Sequence, residues 1–397
     1  MIELSDRIKT MEESATIAMS RKSRELNEMG KDVISLSLGE PDFNTPEFIK
    51  DAAKEGMDQN YTKYMAVPGY DDLRESISRK FLRDNNLNYT KDQIVVSTGA
   101  KQSIANVVLT LINPGDEVII PCPYWVSYIE IVKVAGGIPV FVPSDIENDF
   151  KITGQQLENA VSEKTKLMIF STPCNPTGSV YSKKELLNLA QVIEKNPTLM
   201  VICDEIYEHI NFSGKHQSLA QFSNVYNQII TVNGVSKAWA MTGWRLGYIG
   251  APKEIADACT KMQGQFTSGT CSISQRASIA AMDADPEILQ SMIQSFKSRR
   301  DLVLNELSKM DGIKINEPEG AFYVFPDVSS FFGKTDGKTT INNASDLCIY
   351  LLSEALVALV TGDAFGDPNC IRISYAASEE VLIDALARIG KALSKLN

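Results

Sequence analysis

The sequence QIITVNGVSKAWAMTGWRLGYIG occupies residues 228–250. Two apolar runs, 229–232 and 246–250, flank a polar segment that carries Lys237 and Arg245. Continuous apolar runs of this kind are typical of strands that are buried on both faces of a sheet. Two cations beside such strands are costly to bury, so they either face solvent or serve an anionic ligand. The stretch therefore raises the hypothesis of an anion site at the edge of a buried sheet.

The same alternation of apolar runs and helical patterns extends from about residue 90 to residue 250. Strands are predicted at 93–97, 116–121, 166–170, 199–204 and 228–232. Helices are predicted at 100–112 and at 182–195, where SKKE fits a capping box. This order predicts an α/β fold, with a large domain whose mostly parallel sheet is flanked by helices.

A second, smaller α+β domain is predicted after one long amphipathic helix at 286–309. The expected division is an N-terminal arm and part of the small domain at 1–45, a large cofactor-binding domain at 46–285, and the small domain at 286–397. Residues 213–218 and 333–342 are expected to form exposed loops because glycine and polar residues predominate there.

Composition excludes several classes of function. The chain has 397 residues, is 44% hydrophobic and carries a net charge of −11. An acidic chain argues against binding to nucleic acid or to an anionic membrane surface, which needs a basic face. No apolar run approaches the roughly 20 residues of a membrane span, and the first 20 residues lack the apolar centre of a signal peptide. A cytoplasmic protein is therefore expected.

Cysteine and histidine usage narrows the chemistry further. Seven cysteines without a C-x-x-C pair are typical of buried thiols in a reducing compartment. His209 and His216 are the two histidines of the sequence, which makes a histidine-rich metal site or a histidine-based triad implausible. No metal site is expected.

Reactive side chains follow the predicted strands where each strand ends, and ligands of open α/β sheets bind at that edge. Alone, each has an ordinary interpretation as a turn, a helix cap or a solvated cation. Together they provide a helix N-terminus for a phosphate, an amide, a carboxylate, a phenol, an amine and a guanidinium: Gly99, Ala100, Asn175, Asp204, Tyr207, Ser236, Lys237 and Arg245. This set suits a phosphorylated ring with a basic nitrogen and an aldehyde, which is pyridoxal phosphate.

Ten motifs occur in an order that resembles one known family. They are SLGEPDF, YTKYMAVPGYDDLR, TGAKQ, PYWVSY, STPCNPTG, DEIYEH, SKAWAMTGWRLGYIG, GAFY, GDAFG and IRISYA. The chain from about Ser14 to Ser378 resembles the class I aminotransferases of fold type I, most closely the prokaryotic-type aspartate aminotransferase branch. Two positions, Cys174 and Thr361, depart from the residues common in that family, outside its chemical positions.

The resemblance implies roles around the cofactor. Lys237 would form the covalent Schiff-base link to pyridoxal phosphate, and Asp204 would pair with the pyridine nitrogen. The ring hydroxyl would be bound by Tyr207 and Asn175, and the ring face would stack on Trp125. The phosphate would be held by Gly99, Ala100, Ser236 and Arg245, and by Tyr64 of the partner subunit in a homodimer with shared active sites.

The resemblance also implies how substrates bind. Arg372 would bind the α-carboxylate through a planar bidentate pair, and the main chain near Gly39 would close over it, with Trp125 and Asn175 beside it. In the prokaryotic-type branch a threonine and a lysine bind the distal carboxylate, and this chain has Thr16 and Lys101. The expected substrates are aspartate and glutamate with 2-oxoglutarate or oxaloacetate, and prephenate is a further candidate.

The expected reaction is a ping-pong transamination between amino acids and 2-oxo acids. Substrate would displace the Lys237 amine, which then acts as general base at the substrate Cα, with Asp204 and Tyr207 as further catalytic residues.

Other readings remain open on sequence alone. An aminotransferase for aromatic or other amino acids, and a carbon–sulfur β-lyase, would use the same cofactor. A catalytically silent binding module is disfavoured by the complete set of reactive residues. A nucleotide-binding protein is disfavoured because GKT at 333–335 and at 337–339 lacks the glycine spacing of a phosphate-binding loop.

Overall fold

The computed structural model describes residues 2–397 and has the α/β architecture expected from the sequence. Its helices are α1 Asp6–Thr10, α2 Ala15–Glu28, α3 Glu47–Asp58, α4 Asp71–Lys80, α5 Ala100–Leu111, α6 Ser127–Val134, α7 Gly154–Ala160, α8 Lys183–Lys195, α9 Lys253–Phe266, α10 Ser272–Asp283, α11 Gln290–Leu307, α12 Ala344–Glu354 and α13 Glu379–Leu393. Its strands are β1 Ile34–Ser35, β2 Ile94–Ser97, β3 Glu117–Cys122, β4 Ile138–Pro143, β5 Thr165–Ser171, β6 Met200–Asp204, β7 Ile229–Gly234, β8 Gly247–Gly250, β9 Tyr323–Val324, β10 Val357–Ala358, β11 Val360–Thr361 and β12 Ile371–Ser374.

The central sheet has seven strands in the order β2-β8-β7-β6-β5-β3-β4. The pairs β7–β6, β6–β5, β5–β3 and β3–β4 are parallel, whereas β8 is antiparallel to both of its neighbours, β2 and β7. Strand β2 therefore points the same way as the five parallel strands beyond β8. The prediction of a mostly parallel sheet is confirmed, and the reversal at β8 brings the residues before it to the carboxyl edge of the other strands.

Both faces of this sheet are buried, which is why its strands read as continuous apolar runs. Along β6, Val201 and Cys203 pack into one hydrophobic cluster while Ile202 packs into the cluster on the opposite face. Helix α8 is capped by Ser182, whose hydroxyl accepts from the Glu185 amide in the predicted capping box. Strand β4 was absent from the sequence prediction because proline interrupts its apolar pattern and several of its residues are exposed.

Short strands around the long helix form a second, smaller body of structure. Strands β11, β12 and β9 form an antiparallel sheet, and β1 pairs in parallel with β10. The predicted long helix is a 3-10 turn at Pro286–Leu289 followed by α11. The pairing of β1 with β10 agrees with the prediction that the N-terminal segment belongs partly to the small domain. The domain boundaries at residues 45 and 285 stay a prediction.

One loop prediction is wrong in part. Residues 213–215 are exposed, but His216 and Ser218 of the same loop are buried. Their side chains approach Glu205, with the Ser218 hydroxyl donating to it at 2.6 Å and His216 Nε2 lying 3.1 Å away. Polar composition predicted exposure, whereas a buried carboxylate draws these two polar side chains inward. Among residues 2–397, no helix is long and apolar enough to cross a membrane.

Candidate active site

The carboxyl edge of the central sheet opens into a cavity of about 310 Å³. Residues after β2, β3, β5, β6 and β7 reach it, as do the residues before the antiparallel β8. Twelve of the fourteen site residues predicted from the sequence line it: Thr16, Gly39, Ala100, Lys101, Trp125, Asn175, Asp204, Tyr207, Ser236, Lys237, Arg245 and Arg372. The topology alone therefore assembles residues that are as much as 356 positions apart in sequence.

Asp204 forms a buried carboxylate on the cavity wall. It is the last residue of β6, and its Oδ2 accepts a 2.8 Å hydrogen bond from the Tyr128 hydroxyl. The Ile206 amide donates to Oδ1 at 3.2 Å. Burial raises the pKa of Asp204 to about 6, against the hydrogen bonds from Tyr128 and Ile206 that lower it. A cationic partner would restore the charged form of this carboxylate.

Lys237 places an amine in the same cavity. Its Nζ donates to the Gly39 carbonyl at 2.6 Å and lies 5.7 Å from the centre of the Tyr207 ring. Burial, and then the positive charge of Arg372, lower the pKa of Lys237 to about 8. The shift is toward the neutral amine, the form that a nucleophile or general base requires.

Arg372 is a buried guanidinium, 2% exposed, on strand β12. Its Nη1 donates to Asn175 Oδ1 at 2.9 Å, and its Nη2 donates to the Ser37 carbonyl. The guanidinium contacts the rings of Tyr323 and Phe365, with its Cζ 4.6 and 4.8 Å from their centres. In residues 2–397, no carboxylate lies within 4.0 Å of it, and its Nε is buried without a hydrogen-bond partner. A buried cation without a counterion indicates a site for an anionic ligand.

A second cationic region lies at the start of α5. Gly99 precedes this helix with a φ of +82°, and a side chain there would collide with the Arg245 guanidinium. Arg245 donates from Nη1 to the Thr242 carbonyl at 2.8 Å and forms no ion pair among the described residues. Ser236 is buried beside it. Free N–H groups at a helix start and an unpaired guanidinium suit a phosphate.

Thr16 and Lys101 lie near the mouth of the cavity. The Lys101 ammonium is 5.0 Å from the centre of the Trp125 ring. Partial burial of the amine, and then the nearby Arg245, lower the pKa of Lys101 even though much of the residue is exposed. The first turn of a helix is an unfavourable place for a cation, so an anion at the mouth would relieve two repulsions at once.

Two predicted residues do not line the cavity of this single chain. Gly99 lies just behind Arg245 and shapes the wall without reaching the space. Tyr64 is fully exposed and lies outside the cavity wall. The departures from the family pattern, Cys174 and Thr361, also lie outside it.

Sequence reasoning missed seven polar side chains on the cavity wall: Ser14, Glu40, Ser127, Tyr128, Ser171, Thr242 and Tyr323. Tyr128 binds Asp204, Tyr323 shares a 2.7 Å hydrogen bond with Tyr207, and Glu40 accepts from the Thr242 hydroxyl. Tyr128 lies three residues after Trp125, so helical spacing on one face could have identified it. Tyr323 lies in the motif GAFY, but the motif alone does not show that its hydroxyl reaches Tyr207, because that contact depends on how β9 packs against the end of β6.

The residues present fit pyridoxal phosphate. A phosphate suits Arg245, Ser236 and the start of α5, and a protonated ring nitrogen suits Asp204, whose charged form lacks a cationic partner within the described chain. Lys237 supplies the amine that an aldehyde requires. The buried Ser171 hydroxyl, on the same wall, also has no hydrogen-bond partner. A polar ligand would therefore satisfy several groups that the protein leaves unsatisfied.

Comparison with known proteins agrees with this chemistry. The family described as aminotransferase class I and II matches residues 31–389. A bifunctional aspartate aminotransferase and glutamate/aspartate-prephenate aminotransferase of Petunia hybrida is 48% identical, over 99% of this chain and 83% of its own length. Among solved structures, an aspartate aminotransferase from Rhizobium meliloti is 41% identical with a TM-score of 0.97, covering 100% of both chains. An aspartate aminotransferase from Thermus thermophilus with maleate is 38% identical with a TM-score of 0.92, over 99% of this chain and 100% of its own.

The family match covers most of the chain, and the cavity holds the amine, the carboxylate and the unpaired cations that its cofactor requires. This chain therefore belongs to the class I and II aminotransferases and depends on pyridoxal phosphate.

Proposed function

We propose that the protein is an aspartate aminotransferase, which moves the amino group of aspartate or glutamate to 2-oxoglutarate or oxaloacetate in two half-reactions. The observation that carries this proposal is the pair of unpartnered cations on one cavity. Arg372 is placed to bind one carboxylate beside Lys237, and Lys101 is placed to bind a second at the mouth.

Arg372 is the residue proposed to orient the substrate. Its guanidinium can form two parallel hydrogen bonds with an α-carboxylate, and the rings of Tyr323 and Phe365 restrict its motion. Asn175 and the Ser37 carbonyl bind two of its nitrogens, so little reorientation remains when substrate arrives. Such preorganisation places the substrate Cα near the Lys237 amine.

Lys237 is the residue proposed to attach the cofactor and then to move the proton. When bound, pyridoxal phosphate supplies an aldehyde that carries the amino group and a ring that withdraws electrons from the substrate Cα. Once substrate has displaced it, the Lys237 Nζ takes the proton from Cα. Its lowered pKa keeps part of the amine unprotonated for this step, and its hydrogen bond to the Gly39 carbonyl fixes its direction.

The other predicted residues are proposed to hold the cofactor. Asp204 would hold the proton on the ring nitrogen, and Tyr128 would fix the carboxylate in place. The ring hydroxyl would be bound by Tyr207 and Asn175, the ring face by Trp125, and the phosphate by Gly99, Ala100, Ser236 and Arg245. Gly39 would contribute its main chain near the bound carboxylate.

A dicarboxylate substrate is supported by the mouth of the cavity. Lys101 and Thr16 lie there, and the charge of Lys101 has no carboxylate within 4.0 Å in the described part of the chain. The Thermus thermophilus relative was solved with maleate, a dicarboxylate. Prephenate, named for the Petunia hybrida relative, is a second candidate because it also carries two carboxylates.

A half-reaction screen tests this function. The loaded enzyme is mixed with each amino acid in turn, and conversion of the aldehyde to the amine form of the cofactor is followed by absorbance. Aspartate and glutamate should react fastest, each with release of its 2-oxo acid in equal amount. Fastest conversion with aromatic amino acids would assign another specificity, and release of pyruvate with ammonia or sulfide would assign a β-elimination.

We further propose that the active form is a homodimer with shared sites. The Tyr64 side chain is fully exposed in the single chain, and Ile2 of the N-terminal arm is 92% exposed. A partner subunit would cover these surfaces and could bring Tyr64 to the neighbouring phosphate. Mixed Tyr64→Phe and Lys237→Ala subunits should then recover one good site in each heterodimer. Activity no higher than that of the parents would contradict this arrangement.

A cytoplasmic location also remains a proposal. It is supported by the seven cysteines, none of which forms a disulfide in residues 2–397 and six of which are buried.

A further inference from the structure

The segment that covers the cavity lacks main-chain support. Residues 37–45, the roof segment, form no backbone–backbone hydrogen bond within residues 2–397, whereas Leu36 just before them forms two. Every hydrogen bond of the roof segment therefore involves a side chain, and loops without main-chain pairing are the first to open locally.

Two carbonyls of the roof segment contact the proposed catalytic machinery. The Ser37 carbonyl accepts from Arg372 Nη2, and the Gly39 carbonyl accepts from Lys237 Nζ at 2.6 Å. Gly39 also packs so closely against the Tyr323 hydroxyl that no side chain fits there. A small displacement of the segment would change the position of both cations.

Three side chains of the roof segment, Glu40, Asp42 and Thr45, hold its far end: Glu40 accepts from the Thr242 hydroxyl, Thr45 donates to the Ala240 carbonyl at 2.7 Å, and Asp42 forms the one ion pair of the segment within residues 2–397. Arg299 of α11 donates to both carboxylate oxygens of Asp42, at 2.6 and 2.9 Å. The Arg299 guanidinium lies 5.1 Å from the Phe43 ring centre and 5.6 Å from that of Phe296, and these two rings pack edge to face. The arginine side chain is 10% exposed, so this bidentate pair is shielded from solvent on one side.

We infer that Arg299 is a positioning residue for the active site. Through Asp42 it fixes the roof segment, and the segment in turn places the carbonyls that orient Arg372 and Lys237. Arg299 lines no part of the cavity itself. The expected change in ligand binding rests on the proposed function of the cavity. The expected opening of the roof segment does not depend on that function.

Arg300 provides a matched control on the same helix. It is as deeply buried as Arg299, donates to the Pro318 carbonyl at 2.9 Å and lies 5.2 Å from the Phe212 ring centre. It also pairs with Asp301 at 2.8 and 2.6 Å, and it forms no hydrogen bond or ion pair with the roof segment among the described residues. A purely structural role for a buried arginine of α11 should appear equally in Arg299→Met and Arg300→Met.

The first measurement is chymotrypsin cleavage after Phe43 in the folded enzyme, with and without cofactor. Arg299→Met and Asp42→Asn should each be cut about tenfold faster than the wild type, because the segment opens more often. Arg299→Lys, which retains the charge but not the bidentate geometry, should lie between. Arg300→Met should be cut at the wild-type rate.

The second measurement is maleate affinity of the loaded enzyme by calorimetry, together with kinetics for aspartate and alanine. Arg299→Met should weaken maleate binding and raise KM about tenfold for both amino acids, with a smaller change in kcat and normal cofactor content. The double variant Arg299→Met with Asp42→Asn should be no worse than the poorer single variant.

Equal effects in Arg300→Met, or wild-type cleavage and affinity in Arg299→Met, overturn the inference. A wild type that binds no maleate but shows the cleavage differences contradicts the proposed function and leaves the positioning of the segment supported.

Discussion

Two buried polar clusters lie on opposite sides of the segment DEIYEH, residues 204–209. Asp204 and Tyr207 face the cavity with Lys237, Arg245 and Arg372. Glu205, Glu208 and His209 of the same segment face the other way. With Lys80, Asp84, Asn85 and His216 they form what we call the back cluster. The two clusters share one chain segment and similar residue types, so their difference is informative.

In the back cluster the Asp84 and Glu208 carboxylates have cationic partners within the chain, while Glu205 has the Ser218 hydroxyl and the His216 ring beside it. Lys80 binds Glu208 and donates to Asn85 Oδ1 at 2.8 Å, and Asn85 donates to the other oxygen of Glu208 at 2.6 Å. Arg83 pairs with Asp84 at 2.6 and 3.0 Å. Asp84, Glu208 and His209 have the donor spacing of a metal site, but both carboxylates already have cationic partners. This cluster is explained as a structural network.

In the cavity the charges lack partners. Arg372 and Arg245 form no ion pair in the described chain, and Asp204 and Lys237 have pKa values shifted toward their neutral forms by burial. Because an unpaired buried charge is destabilising, the persistence of the Arg372 guanidinium indicates a ligand that pairs with it. In this molecule ion pairing within the chain separates the two clusters, which residue type alone does not.

The largest expected effect comes from Lys237→Ala. Removing the amine should lower kcat at least about 10⁴-fold, because both the attachment and the proton transfer are lost. The folded state should be as stable as the wild type or more stable, since a buried amine is removed. Turnover and thermal unfolding measured on the same preparation test this, and near-wild-type transamination would refute the assignment.

Asp204→Asn should separate function from stability. Turnover should fall about 10³-fold, because a neutral amide no longer holds the ring proton. Asp204→Glu, as control, should lose less. The raised pKa means that the cofactor-free wild type loses stability as pH rises from about 4 to about 6. Asp204→Asn should lack that loss and be more stable at pH 7.5 by up to about 3 kcal/mol. Denaturant unfolding of the cofactor-free wild type and Asp204→Asn at pH 4.5 and 7.5 measures this difference in stability. The same change in unfolding free energy with pH in both proteins would contradict the prediction.

Lys80→Met should show the opposite pattern in the back cluster. It leaves Glu208 unpaired and buried, so stability should fall by about 3–5 kcal/mol while kcat/KM changes by only a few-fold. Burial alone would raise the pKa of Glu208, but Lys80 and the two histidines lower it overall. The stabilisation is therefore present at pH 7 and is lost as pH falls below about 4.5.

The measurement is denaturant unfolding of the wild type and Lys80→Met at pH 7 and near pH 4, where the difference should shrink. A second substitution, Glu208→Leu, should restore much of the stability lost in Lys80→Met. A loss of activity as large as that of Asp204→Asn would show that the back cluster is not merely structural.

Lys101→Ala is expected to have the smallest of these effects, and the most selective. It should lower kcat/KM for aspartate by about ten- to a hundredfold, roughly 1.5–3 kcal/mol, and spare alanine. The contrast is with Arg372, whose loss should affect every amino acid. Steady-state kinetics of Lys101→Ala with aspartate and with alanine measure this selectivity. An equal loss of kcat/KM for alanine would mean that Lys101 positions the cofactor.

The sequence predicted the sheet and most of the cavity because strand order and strand-end residues are local signals. The positions of Asp204, Lys237 and Arg245 follow once the strands are assigned. The back cluster was not predicted, since Lys80 and Glu208 meet only when α4 packs beside the end of β6. His216 was assigned to an exposed loop for the same reason. Contacts between distant elements depend on packing, which a single sequence does not reveal.

The most direct test of the central claim is to locate the cofactor on the chain. The enzyme loaded with pyridoxal phosphate is reduced with borohydride, digested, and the modified lysine is identified by mass spectrometry. The modification should fall on Lys237 at close to one per chain and be absent from Lys80 and Lys101. A modification on any other lysine, or none at all, would contradict the assignment of the cavity.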